Sequence, residues 1–163
     1  MIKRLCKVTP IGMGSGTIVK YTGEGLFTIR DIAFRREGDF AATVMAVLGG
    51  EVDFSNCGFA NGATSEDETA PGMGLIFFND AVGIVRNCTV EDNAQVGILV
   101  RDEAHISLEN NTCLFNNIGI AYVGNASGVA KDNRCTSNLE QGILVSGLAK
   151  PELISNDIHD NGS

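Results

Sequence analysis

The sequence predicts an all-β solenoid, a single-stranded parallel β-helix of about six turns with three sheets. Three observations predict it. The first is an internal repeat: rows opening at Gly74, Gly97, Gly119 and Gly142 lie 23, 22 and 23 residues apart. The second is that each row holds three short β-prone runs separated by Gly, Asn or Asp. One row reads Gly97–Arg101, His105–Glu109 and Thr112–Phe115. The third is composition: 20 Gly, 3 Pro, 14 Asn and no Trp among 163 residues, with every Asn at or after Asn56. Gly and Asn are poor inside helices, which excludes a bundle. Leucine-rich repeats are excluded because Leu is sparse and the L-x-x-L-x-L frame is missing.

The length favours a single domain over 1–163. Residues 1–16 are expected to cap the column and residues 17–42 to form irregular first turns. Residues 43–163 are the regular repeats. Within them, positions sixteen after each opening Gly are Val90, Cys113, Cys135 and Ile158, a stacked inward column. An earlier row opens near Thr43 and places Val44, Ala46, Phe59 and Gly62 at matching points. A weaker one, Thr28–Phe34, parallels Asp53–Phe59. Equivalent residues sit one rung apart, about 4.8 Å, so like side chains form ladders. Asn93, Asn116, Asn138 and Asn161 make one such column, and Asn111, Asn133 and Asn156 another. Asn tolerates the left-handed backbone of corners, and stacked amides hydrogen-bond along the axis. Gly serves the remaining tight corners.

Net charge is −8, and the first ten residues carry Lys3, Arg4 and Lys7, so the remainder is −11. An acidic body without a basic stripe excludes nucleic acid as partner. No apolar run approaches the roughly 20 residues of a membrane span, and no export signal is visible, so the cytoplasm is the default, with an extracellular location left open. Five cysteines without a CxxC pair suit neither a disulfide framework nor a zinc ribbon. Cys57 stacks on Cys88 and Cys113 on Cys135. They read as reduced core residues, and no metal site is expected.

The rows GILVRDEAHISLENNTCLFNN and GILVSGLAKPELISNDIHDNG resemble the right-handed β-helix repeats of the pectin-lyase-like superfamily. That resemblance implies the right hand and covers residues 43–163 well and 17–42 weakly. The superfamily holds polysaccharide lyases, esterases, hydrolases and epimerases as well as adhesive domains, so fold alone does not assign activity.

Two functional readings follow. Strand side chains alternate between the two faces of a sheet, yet the first strand of each row is apolar on both. Met45, Ile76, Leu99, Ala121 and Leu144 form one outward column, with Val47, Phe78 and Val123 in the next. Either the insertions before these strands fold over the stripe, or another molecule covers it. The preferred reading is a non-catalytic structural or binding module that self-associates through this face, as a dimer or trimer and without a cofactor. The alternative is a polysaccharide-binding or polysaccharide-processing protein with a groove over the first sheet. Its candidate residues are Asp80, Arg101, Asp102, Glu103 and His105, where two carboxylates one rung apart could share a proton or hold Ca²⁺. The competing explanation for those residues is solvated corner charge.

Overall fold

The computed structural model describes residues 4–5, 16–38, 40–64 and 71–162. Nineteen strands follow one another without a helix among the described residues. After β1 (Arg4–Leu5) they come in threes. The first turn is β2 (Gly16–Tyr21), β3 (Leu26–Arg30) and β4 (Ile32–Arg35), and the second is β5 (Ala42–Val47), β6 (Glu51–Ser55) and β7 (Gly58–Ala60). The third is β8 (Leu75–Phe77), β9 (Val82–Arg86) and β10 (Thr89–Glu91), and the fourth β11 (Val96–Val100), β12 (His105–Glu109) and β13 (Thr112–Leu114). The fifth is β14 (Ile118–Tyr122), β15 (Ser127–Lys131) and β16 (Arg134–Thr136), and the last β17 (Ile143–Val145), β18 (Lys150–Ile154) and β19 (Asp157–His159). Each strand pairs in parallel with its equivalents in the adjacent turns, giving sheets of six, six and seven strands. Residues 17–42, expected to be irregular, therefore already contain a complete turn. Most of the expected cap lies outside the described residues.

The predicted columns are observed where the rows are 22 or 23 long. Val90, Cys113, Cys135 and Ile158 are register partners in sequence, and Thr28 stands over Asp53. The Thr43 row is one residue out. Met45, not Val44, pairs with Leu75, and Val47 pairs with Phe77. The insertion between β7 and β8 hides the phase of β5, and a slip of one residue exchanges the two faces of a strand. Met45 and Val47 consequently point inward and are fully buried in the core, whereas Ala46 takes the outward place.

Rings fill the wide early turns: Phe54 lies 5.5 Å from Phe27 and 6.3 Å from both Phe59 and Phe77. Later turns use Tyr122, Ile, Ala and Cys. The buried Tyr122 hydroxyl donates to the Ile106 carbonyl at 3.0 Å, which satisfies a polar group in an apolar interior. Burial pushes its phenol well above the ordinary value.

The two ladders hold the corners. Asn116 Oδ1 accepts both the backbone N–H of Asn93 at 3.1 Å and its Nδ2 at 2.8 Å, and Asn138 Oδ1 does the same for Asn116. Asn111, Asn133 and Asn156 repeat the arrangement at 3.0 Å throughout. Each amide also donates to a carbonyl of the preceding turn, as Asn116 does to Val90 at 3.0 Å. The ladder residues are not themselves left-handed. The residue before each one is: Asn110, Asp132 and Ser155 in one column, Asp92, Phe115, Ser137 and Asp160 in the other. That residue turns the chain so that the next side chain enters the interior. The row-opening glycines have a different reason from corner freedom. A Cβ on Gly97 would lie 2.8 Å from Asn116 Nδ2 and 2.7 Å from the Gly119 carbonyl. Gly74, Gly119 and Gly142 meet their own ladder amides in the same way.

Candidate functional site

The outer face of the first sheet is where sequence placed both an interface and a groove. Register brings Ile76, Leu99, Ala121 and Leu144 into one column. Within a single chain Ile76 is 3% exposed, Leu99 6% and Ala121 1%. They form a second apolar cluster, distinct from the interior, with Ala46 and Val96. Leu48, Met73, Phe78, Val123 and Leu144 pack around it, half-buried. Met73 comes from the insertion that precedes β8, and that insertion is tied back to the sheet by reciprocal backbone hydrogen bonds between Ala42 and Ala63. The centre of the stripe is thus covered without a second molecule, and Leu144 and Val123 remain as its accessible margin.

The corner after this sheet gathers the proposed catalytic residues. Asp102 is left-handed (φ 60) and sits over the equally left-handed Asn79. Its Oδ2 accepts the Asn79 backbone N–H at 3.1 Å and its Oδ1 takes Arg101 Nε at 3.0 Å. The Asn79 N–H and then Arg101 hold this carboxyl below the ordinary range. Arg101 in turn lies 5.4 Å over the Phe78 ring, a cation–π contact. Glu103 donates its backbone N–H to the Asn79 carbonyl, which leaves Asp80 one rung from Glu103 as expected. Both are exposed, and among the described residues no hydrogen bond or ion pair joins them. His105 lies on the adjacent sheet, its Nδ1 2.9 Å from Ser127 Oγ. Structure therefore brings Asp102 and Arg101 together as a corner clasp, and it turns His105 to a different face. Among the described residues no three His, Cys, Asp or Glu side chains gather as cation ligands.

The four described cysteines are unpaired and buried. Cys57 and Cys88 extend the ladder by substitution: the Cys57 N–H donates to Cys88 Sγ at 3.4 Å, where an amide oxygen would otherwise stand. Cys88 N–H then donates to Asn111 Oδ1 at 3.0 Å. The hydrogen bond with Cys135 and burial push the Cys113 thiol up.

A family model describing a right-handed beta helix region matches residues 6–163. The chain belongs to the right-handed β-helix family. This fixes the hand of the coil and agrees with the pectin-lyase-like resemblance. Comparison with curated proteins and with solved structures gives no significant match.

One exposed feature of this right-handed β-helix was missed in the sequence. Phe115 is left-handed (φ 55) and 58% exposed in a column otherwise filled by Asn, Asp and Ser. With Leu139 it borders a shallow groove of about 530 Å³ that also meets Asn117 and Ser137. The break in an otherwise polar column was the available signal.

Proposed function

We propose that this β-helix is a non-catalytic structural or binding module that self-associates through the apolar margin of its first sheet. The observation that carries it is the outer apolar cluster of that sheet, where Phe78, Val123 and Leu144 pack half-buried around Ile76, Leu99 and Ala121. An accessible apolar margin of this kind marks an interaction site. Light scattering of the 163-residue chain tests it. Mass should rise with concentration, and Val123→Glu with Leu144→Glu should abolish the rise without altering the circular dichroism. A constant monomer mass into the millimolar range would contradict the reading.

A second reading keeps polysaccharide binding but moves it. The strained, exposed Phe115 beside Asn117 and Ser137 offers an apolar platform edged by hydrogen-bonding groups, at the corner leading into the first sheet. Titration with a glycan panel, followed by NMR at Phe115, distinguishes the two. Saturable shifts there favour the glycan reading, and their absence across acidic and neutral glycans removes it.

A further inference from the structure

We infer that Cys57 and Cys88 are an oxidation site, a thiol pair that a peroxide converts into a disulfide bracing the second turn against the third. The site is independent of the self-association reading.

Both cysteines stand where the Asn111 ladder continues into the earlier turns. Ser55 pairs with Arg86 and Gly58 with Thr89, so Cys57 lies one rung from Cys88. Rungs are about 4.8 Å apart, and a disulfide joins Cα atoms about 4.4–6.8 Å apart. The Cys57 backbone N–H donates to Cys88 Sγ at 3.4 Å, and the two thiols are hydrogen-bonded to each other. Hydrogen bonding alone gives no reason for sulfur here. An Asn at this place accepts a rung N–H and also donates twice, as Asn111 does to Asn133 and to the Val85 carbonyl. Sulfur is a weak acceptor, and a thiol has one hydrogen to give. What sulfur adds is a covalent bond between rungs. The two cysteines are 31 residues apart. They bracket the insertion between β7 and β8, the longest gap between consecutive strands. A bond between them closes that stretch into a loop, which restricts the unfolded chain.

The two thiols are not equivalent. Cys88 donates to Cys57 Sγ, and this bond, with the Ile32 backbone N–H, holds the Cys57 thiol below its ordinary value against burial and the Asp31 carboxylate. The same hydrogen bond and burial push the Cys88 thiol up. Cys57 is therefore the attacking sulfur and Cys88 the resolving one. Cys57 Sγ attacks one peroxide oxygen, the O–O bond breaks, and the departing hydroxide leaves as water with the Cys57 thiol proton. Cys57 is then a sulfenic acid. Cys88 Sγ attacks it, the S–S bond forms and the S–O bond breaks. That second hydroxide leaves as water with the Cys88 proton. Two thiols are oxidised and one peroxide is reduced to two waters. Both sulfurs follow a left-handed corner residue, Asn56 and Asn87, and Asn87 is exposed. Local opening of that corner admits a small oxidant. Cys113 and Cys135 are the built-in comparison. They are register partners too, but they lie fully buried in the core, and Cys135 and burial push the Cys113 thiol up.

Peroxide treatment followed by peptide mapping tests this. The chain carries Cys6→Ser, a position outside the described residues. After hydrogen peroxide, remaining thiols are alkylated in urea and the peptides are mapped without reduction by mass spectrometry. The Cys57–Cys88 link should form at least tenfold faster than any Cys113–Cys135 link, and dithiothreitol should reverse it. In Cys88→Ala, dimedone should trap a sulfenic acid at Cys57. In Cys57→Ala, Cys88 should be labelled no more than Cys113. The oxidised chain should melt at least about 5 °C higher than the reduced one, with no such rise in Cys57→Ala with Cys88→Ala. Equal linkage of the two pairs, over-oxidation of Cys57 without a link, or thiols that stay reduced would overturn the site. So would the same preference in urea, which would owe nothing to the fold. An oxidised chain that melts at or below the reduced one would overturn the bracing.

Discussion

Replacing Asn116 by Ala probes the ladder at its best-buried point. Asn116 is 2% exposed, with an Asn above and below. The substitution removes four hydrogen bonds: two accepted from Asn93, one donated to the Val90 carbonyl and one donated to Asn138. The Asn116 backbone N–H keeps its acceptor, Asn138 Oδ1. What is stranded is the Asn93 N–H, one amide hydrogen of Asn93 and the Val90 carbonyl, all inside the column. Each unsatisfied buried group costs about 1–3 kcal/mol. Partial relaxation and an entering water reduce the sum, so a loss of about 3–5 kcal/mol is expected. For a chain of this size that corresponds to a fall in Tm of roughly 6–20 °C. The same change at Asn161, which is half-buried, should cost about 1–2 kcal/mol because water replaces the lost partners. Urea denaturation of both variants measures the difference. Equal effects at the two positions, or a loss below about 1 kcal/mol at Asn116, would refute the claim that the ladder holds the corners.

Other outcomes follow from single contacts. Gly97→Ala should destabilise the coil strongly, since its Cβ would press on the Gly119 carbonyl and Asn116 Nδ2, and a thermal melt reads it. Phe115→Asn should raise stability by about 0.5–1 kcal/mol by relieving a left-handed Phe, with the same melt as readout. Leu99→Glu should unfold the chain rather than merely separate copies, because Leu99 is buried within one chain; circular dichroism decides between the two. Asp102 has a lowered pKa in the fold, so its contribution to stability is present above the unfolded carboxyl pKa of about 4 and is lost as pH falls through the lower folded value. The pH dependence of stability should be flatter below that pH in Asp102→Asn.

The repeat was legible because rows of 22 or 23 residues keep Gly, Asn and the inward column in phase. The Val90–Cys113–Cys135–Ile158 column and both ladders stand as read from the spacing. The phase of β5 was not legible: an insertion separates it from β8, and one residue decides which face is inside. That slip is why Met45 and Val47 were placed outward. Burial of Ile76 and Leu99 was also beyond the pattern, since an apolar column reads the same whether an insertion of its own chain or another molecule covers it. Asp80, Asp102 and Glu103 were found at one corner, as their spacing implied, but spacing does not reveal that Asp102 is engaged by Asn79 and Arg101. The role of the row-opening glycines needed coordinates, because the amide they make room for lies nineteen residues further on.

Residue-resolved amide hydrogen exchange at two protein concentrations tests the account most directly. The middle turns, including the Asn93 and Asn116 backbone amides, should be strongly protected at both. Amides at the margin of the first sheet, next to Val123 and Leu144, should slow down when the protein is concentrated. Weak protection at Asn93 and Asn116, or a first-sheet margin indifferent to concentration, would contradict it.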